Sequence, residues 1–230
     1  MADEKQPASK NITSLDIQAK ELGIGGKLSP ETDESLYKKR MQKRKEVQSK
    51  RLKVRKTKKG LLIVFTGNGK GKTTASLGMA LRTIGHGHKV AIIQFIKGGW
   101  TTGEEKALKN LSSNISWHSL GEGFTWETQD KTRDTEMAAA AWEKAKSLIR
   151  DPTNTMVLLD EINIALRYDY ININDICHFL LNEKPEMTHV VLTGRNAKDE
   201  LIEIADLVTE MELVKHPFRG GIKAQIGVEF

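Results

Sequence analysis

Residues Thr66–Thr74 read "TGNGKGKTT". An apolar run, "LLIVF" (Leu61–Phe65), leads into them, and a helical pattern, "ASLGMALRTIG" (Ala75–Gly85), leads out. A buried strand feeding a glycine-rich turn and then a helix makes a nest of backbone N–H groups at the positive end of a helix dipole. That is a phosphate site. Gly67, Gly69 and Gly71 let the backbone wrap closely, Lys72 brings a positive charge, and the Thr73 hydroxyl can ligate Mg²⁺. The spacing departs from the usual pattern, which has four residues between its first glycine and the Gly-Lys pair. Here Gly67 has only Asn68, Gly69 and Lys70 before Gly71, and Thr66 stands at the usual glycine position. The whole stretch, Thr66 through Thr74, is the expected nucleotide-phosphate site.

Outward from this loop the rhythm stays strand–helix–strand. Strands are expected at "KVAIIQF" (Lys89–Phe95), "ISWHSL" (Ile115–Leu120), "TMVLLDEI" (Thr155–Ile162), "THVVLTG" (Thr188–Gly194) and "LVTEMEL" (Leu207–Leu213). Helices are expected over Thr73–Ile84, Glu104–Leu111, Lys131–Arg150, Asn174–Asn182 and Ala197–Ala205, with Asp151-Pro152 closing the long one. Continuous apolar strands alternating with helices imply an α/β fold, a mostly parallel sheet covered on both faces. In such a sheet the C-terminal strand ends share one ligand-binding rim. Asp160 and Glu161 end "MVLLDEI", so either can hold the metal, directly or through water.

The chain has 230 residues, 38% hydrophobic and 29% charged, with the single cysteine Cys177 in the apolar context "NDICHFLL". One cysteine excludes an intrachain disulfide framework. No apolar run approaches the ~20 residues that cross a bilayer. The polar start, with Asp3 and Glu4, lacks the apolar core of a secretion signal, so a cytoplasmic protein is expected. The net charge of +6 is uneven. Residues 1–37 sum to −3 and residues 60–230 to −3, whereas residues 38–59 carry thirteen Lys or Arg against Glu46 alone. The expected organisation is therefore a mobile tail with a basic helix (1–59, helical over about Glu34–Lys56) and a phosphate-loop domain (60–230). His86 and His88 read as turn residues, because no Cys or His partner is spaced for a closed zinc site.

Up to here the residues imply a domain that binds ATP or GTP, without choosing among hydrolysis, phosphoryl transfer and another use of the nucleotide. "EGFTWET" (Glu122–Thr128) adds Phe124 and Trp126, which point the same way in an extended segment. Taken with "QFIKGGW", "VLLDEI", "YDY", "VVLTGR" and "VKHPFRGGIKAQIGVEF", the loop resembles the P-loop type of corrinoid adenosyltransferase, over Gly60–Phe230. The shortened loop is that family's own form.

The resemblance implies a P-loop (RecA-like) fold and an unusual use of ATP. A Co(I) corrinoid attacks the ribose 5′ carbon, and triphosphate leaves. Lys72, Thr73 and Glu161 would serve the reaction, with Mg²⁺ or Mn²⁺ held by Thr73, Asp160 and Glu161. Phe124 and Trp126 would occupy the lower face of the corrin and keep out an axial ligand. Arg82 and Arg195 would reach the nucleotide or its phosphates. The resemblance also implies a homodimer, an electron donor such as a flavoprotein, and a basic helix that folds over the site as a lid. Neither membrane nor nucleic acid is expected as a partner. The rival readings are a P-loop ATPase or kinase using the basic helix on nucleic acid, and a non-catalytic corrinoid-binding module.

Overall fold

The computed structural model describes residues 30–54, 56–96, 102–120 and 130–228. The rest of the tail and the 121–129 segment with Phe124 and Trp126 lie outside them. The chain divides into two units, residues 1–57 and 58–230. In the first, helix α1 runs over Pro30–Lys53. It starts four residues before the expected Glu34, because proline is favoured at a first helical position, where its missing N–H costs nothing. Lys50, Arg51 and Lys53 lie in its last turn, where positive charge suits the C-terminal end of the dipole. Glu34 and Lys38 form an i,i+4 pair. Tyr37 and Leu52 are about 60% exposed.

The second unit is built on six strands, β1 (Leu62–Thr66), β2 (Lys89–Gln94), β3 (Ile115–Ser119), β4 (Asn154–Asp160), β5 (His189–Thr193) and β6 (Leu207–Glu210). They form one sheet in the order β3-β2-β4-β5-β1-β6, with every pairing parallel. The helices are α2 (Lys72–Gly85), α3 (Gly103–Leu111), α4 (Lys131–Arg150), α5 (Ile162–Arg167), α6 (Ile173–Asn182) and α7 (Asp199–Ile204).

Alternate residues of each inner strand enter opposite cores, which is why the strands read as unbroken apolar runs. Ile63, Phe65, Ile92, Leu158 and Val191 pack with Leu77, Ala80 and Ile84 of α2. Val64, Ile93, Leu159 and Leu192 pack with Trp142 and Ile149 of α4 and with Phe179 of α6. The Trp142 and Phe179 rings meet edge to face, with centroids 5.3 Å apart. Each fully buried Ile or Leu contributes about 1.5–3 kcal/mol, so this two-sided burial outweighs local propensity in fixing the strands.

Two strands stop two or more residues short of the sequence reading, both at the rim. Strand β4 stops at Asp160, and Glu161 takes a left-handed conformation (φ 59°) from which the unexpected helix α5 begins. Strand β6 stops at Glu210, because the next residues turn to the glycine loop. Met211 O accepts from Gly69 N at 2.6 Å, while Met211 N donates to Thr66 O at 2.9 Å. As an edge strand with one neighbour, β6 is exposed along its whole length. A short 3₁₀ turn, Pro217–Gly220, also follows unannounced by the sequence. Among the described residues, no helix is long and apolar enough to cross a membrane.

Candidate active site

The strand order puts the chemistry at one rim. β5 lies between β1, which feeds the glycine loop, and β4, which ends at Asp160 with Glu161 directly after it. Its last residue, Thr193, therefore stands between the two.

The loop leaves β1 at Gly67, whose φ of 93° is left-handed. A Cβ on Gly67 would lie 2.4 Å from Met211 O. Gly71, also left-handed, is the residue from which α2 starts. Lys72 folds back over the turn. Its Nζ is buried and donates to Gly67 O at 2.8 Å and to Gly69 O at 2.6 Å. Burial lowers the Lys72 pKa, nearby Glu161 opposes that shift, and Arg195 and Lys70 add to it. Asn68, Lys70 and Thr74 are exposed around the turn. Thr66 is buried, and its Oγ1 accepts from Ala197 N at 3.0 Å, tying the start of the loop to the segment after β5.

The Thr73 hydroxyl donates to Asp160 Oδ1 at 3.0 Å. Thr193 Oγ1 donates to the same oxygen at 2.8 Å and accepts from Glu161 N at 2.9 Å. Gln94 Nε2 approaches Asp160 Oδ2 at 3.4 Å. Asp160 is only 4% exposed. Burial raises its pKa, and the hydrogen bonds from Thr193, Thr73 and Gln94 pull it back. Glu161 is raised to about 7, first by burial and then by the Asp160 charge, with Lys72 and Arg195 opposing. A non-glycine residue held at positive φ is strain that persists only where its surroundings over-determine it. Here the Thr193 bond and the close approach of Gly194, whose Cβ would lie 3.2 Å from Glu161 Oε2, supply those surroundings.

One hydroxyl and two adjacent carboxylates that resist ionisation without a cation make a donor set fitting Mg²⁺. Mg²⁺ takes few protein ligands and completes its shell with phosphate oxygens and water. Among the described residues there is no group of three or more His, Cys, Asp or Glu placed to hold a metal ion.

The raised Glu161 carries a stability prediction. Its pKa in the fold, about 7, lies above its ordinary 4.5, so the fold favours the protonated form. Its contribution is fully present below about 4.5 and is lost as pH rises through about 7. Thermal midpoints of the protein without nucleotide should fall across that window, and Glu161→Gln should flatten the fall. An unchanged slope in the variant would show that Glu161 titrates normally.

Of the residues singled out in the sequence, the structure brings together Lys72, Thr73, Asp160 and Glu161, with Arg195 close enough to act on Lys72 and Glu161. It does not bring in Arg82, which is exposed in the last turn of α2, about 15 Å along the helix from Lys72. Sequence reasoning missed Gln94 and Thr193. Their one signal was position, each the last residue of a buried strand whose apolar run stops at a polar side chain.

The family model for ATP:corrinoid adenosyltransferase BtuR/CobO/CobP matches residues 58–230. A second, for the Cob(I)alamin adenosyltransferase N terminal, matches residues 31–52. A corrinoid adenosyltransferase of Sinorhizobium sp is 58% identical over 91% of this chain and 99% of its own length. Similar relatives of the same name occur in Pseudomonas aeruginosa, 48% identical over 88% of this chain and 98% of the relative, and in Escherichia coli K12, 42% identical over 84% and 97%.

Proposed function

The chain belongs to the ATP:corrinoid adenosyltransferase family, and from that premise we propose how its own residues carry adenosyl transfer from ATP to a reduced corrinoid. Co(I) of the substrate donates an electron pair to C5′ of ATP. The C5′–O bond breaks, its electrons leave with triphosphate, and cobalt ends as Co(III) bonded to carbon. No group on the protein has to remove a proton, because the nucleophile is the metal of the substrate.

The protein's work is then to bind the triphosphate and to stabilise the charge it gains on leaving. The observation that carries this reading is the contact between Thr73 of the glycine loop and Asp160 of β4, 3.0 Å apart. It joins the phosphate nest to a carboxylate pair. The loop N–H groups and Lys72 bind the phosphates, and Arg195 adds charge from the β5 side. Thr73, Asp160 and Glu161 would hold Mg²⁺ or Mn²⁺, which when bound neutralises the leaving triphosphate. Thr193 keeps Asp160 and the Glu161 backbone in register beside it.

The aromatic pair Phe124 and Trp126 serves a separate step in this proposal. Co(II) with an axial ligand is hard to reduce, and two rings against the lower face of the corrin exclude that ligand. Phe124→Ala and Trp126→Ala should therefore slow the reaction more from Co(II) with a weak protein reductant than from preformed Co(I). Equal losses in the two assays would assign the rings to packing. The proposal also includes a homodimer, a flavoprotein electron donor, a cytoplasmic setting, and a lid role for the basic segment 38–59. The family model for the N terminal matches residues 31–52, so part of that segment belongs to the family's own sequence.

Anaerobic incubation with ATP, Mg²⁺ and chemically reduced Co(I) corrinoid tests the function. A light-sensitive Co–C spectrum with stoichiometric triphosphate is expected. ADP and orthophosphate would overturn it in favour of a phosphate-loop ATPase, and corrinoid binding without ATP consumption in favour of a delivery module.

A further inference from the structure

Gln94, the last residue of β2, has a role that neither the loop motif nor the carboxylate motif assigns. It is 7% exposed, and it pairs in register with Ser119 of β3 on one side and Asp160 of β4 on the other. Its amide oxygen accepts from Trp117 Nε1 at 3.0 Å and from Ser119 Oγ at 2.9 Å. An indole nitrogen only donates, so the side of the Gln94 amide facing Trp117 has to be oxygen. The amide cannot turn over without setting N–H against N–H. Its nitrogen is thereby held toward Asp160 Oδ2, 3.4 Å away, while Oδ1 of the same carboxylate receives Thr73 and Thr193.

We propose that Gln94, locked by Trp117 and Ser119, is a positioning residue that fixes the rotation of the Asp160 carboxylate so that Oδ1 faces Thr73 and the metal position between them. This rests on the reading of Asp160 as a metal carboxylate. The physical reason is the burial of Asp160. A carboxylate that is 4% exposed has no water with which to replace a lost donor on Oδ2. Without the Gln94 amide it turns to share the Thr73 and Thr193 donors between both oxygens, and the geometry that the cation needs is lost. Groups that orient a metal ligand in this way commonly account for about 10–100-fold in metal affinity.

The test is Mn²⁺ binding followed by electron paramagnetic resonance on the full chain with ATP and no corrinoid, so that nothing turns over. Gln94→Met keeps the length of the side chain and removes the donor. It should weaken Mn²⁺ binding by about tenfold or more while ATP affinity without metal stays unchanged. Trp117→Phe combined with Ser119→Ala keeps Gln94 but frees its amide, and should weaken Mn²⁺ in the same direction. This second variant decides the matter if Gln94→Met does not fold.

Asp160→Asn separates the two levels of the argument. If Asp160→Asn weakens Mn²⁺ and the Gln94 and Trp117/Ser119 variants bind it within about twofold of native, the positioning role is overturned. If Asp160→Asn leaves Mn²⁺ binding at its native strength, the metal role of Asp160 falls, and the inference falls with it.

Discussion

Lys72→Ala is expected to lower turnover on the order of 10²–10³-fold at saturating ATP, the usual loss when one preorganised charge is removed from the site where transition-state charge develops. The residue is well placed for this. Its Nζ is buried and held by the carbonyls of Gly67 and Gly69, two points of the turn proposed to wrap the phosphates. Those two bonds also make Lys72 a brace for the loop, so the alanine variant removes a brace and a charge together. Lys72→Arg distinguishes the two. It keeps the charge but cannot place a planar guanidinium where a compact ammonium donates to two carbonyls of a tight turn. Partial recovery of turnover by arginine would assign most of the loss to charge, and none would assign it to geometry. Near-native turnover of Lys72→Ala at saturating ATP would remove Lys72 from the mechanism.

The second large effect comes from a residue whose importance lies behind the loop rather than in front of it. Gly69→Ala is expected to weaken ATP binding by about tenfold or more, the equivalent of about 1.4 kcal/mol. A Cβ at this position would lie 2.5 Å from Glu212 O and 2.7 Å from Met211 O. Both are backbone atoms that cannot swing away as a side chain can. Gly69 N also donates to Met211 O at 2.6 Å, so the loop has to break that bond to make room. Overpacking of this kind costs about 1–3 kcal/mol in stability. A fall in ATP affinity together with a lowered thermal midpoint is the expected pair of results. Unchanged affinity would mean that the nest tolerates displacement from the 211–212 backbone.

Gly69 shows how a motif can be legible for one reason and conserve its geometry for another. The sequence suggests glycines that let phosphate approach. The structure adds that Gly67 and Gly69 are packed from the opposite side by the chain leaving β6. That chain is more than 140 residues further along the sequence, and nothing local to the loop announces it.

The sequence by itself determined the parallel α/β architecture, the glycine loop at the start of α2, and the placing of Asp160 and Glu161 at the rim where β4 ends. Each rests on a signal carried within one short segment. Apolar runs of strand length, Gly-Lys-Thr at a helix start, and carboxylates ending an apolar run need no knowledge of neighbours. Only the tertiary structure decided which strands lie side by side, and everything that depends on adjacency followed from that. With β5 between β1 and β4, Thr193 bridges Asp160 and the Glu161 backbone. With β2 between β3 and β4, Gln94 links Trp117 and Ser119 to Asp160. Burial among these partners, not residue type, raises Glu161 to about 7. The helix rise sets Arg82, which the resemblance implies near the nucleotide, at the far end of α2 from Lys72. Hydrogen bonds between strand ends join residues 25 to 66 positions apart. Their spacing in sequence is set by the lengths of the intervening helices and loops, which carry no record of the side chains that meet across the sheet.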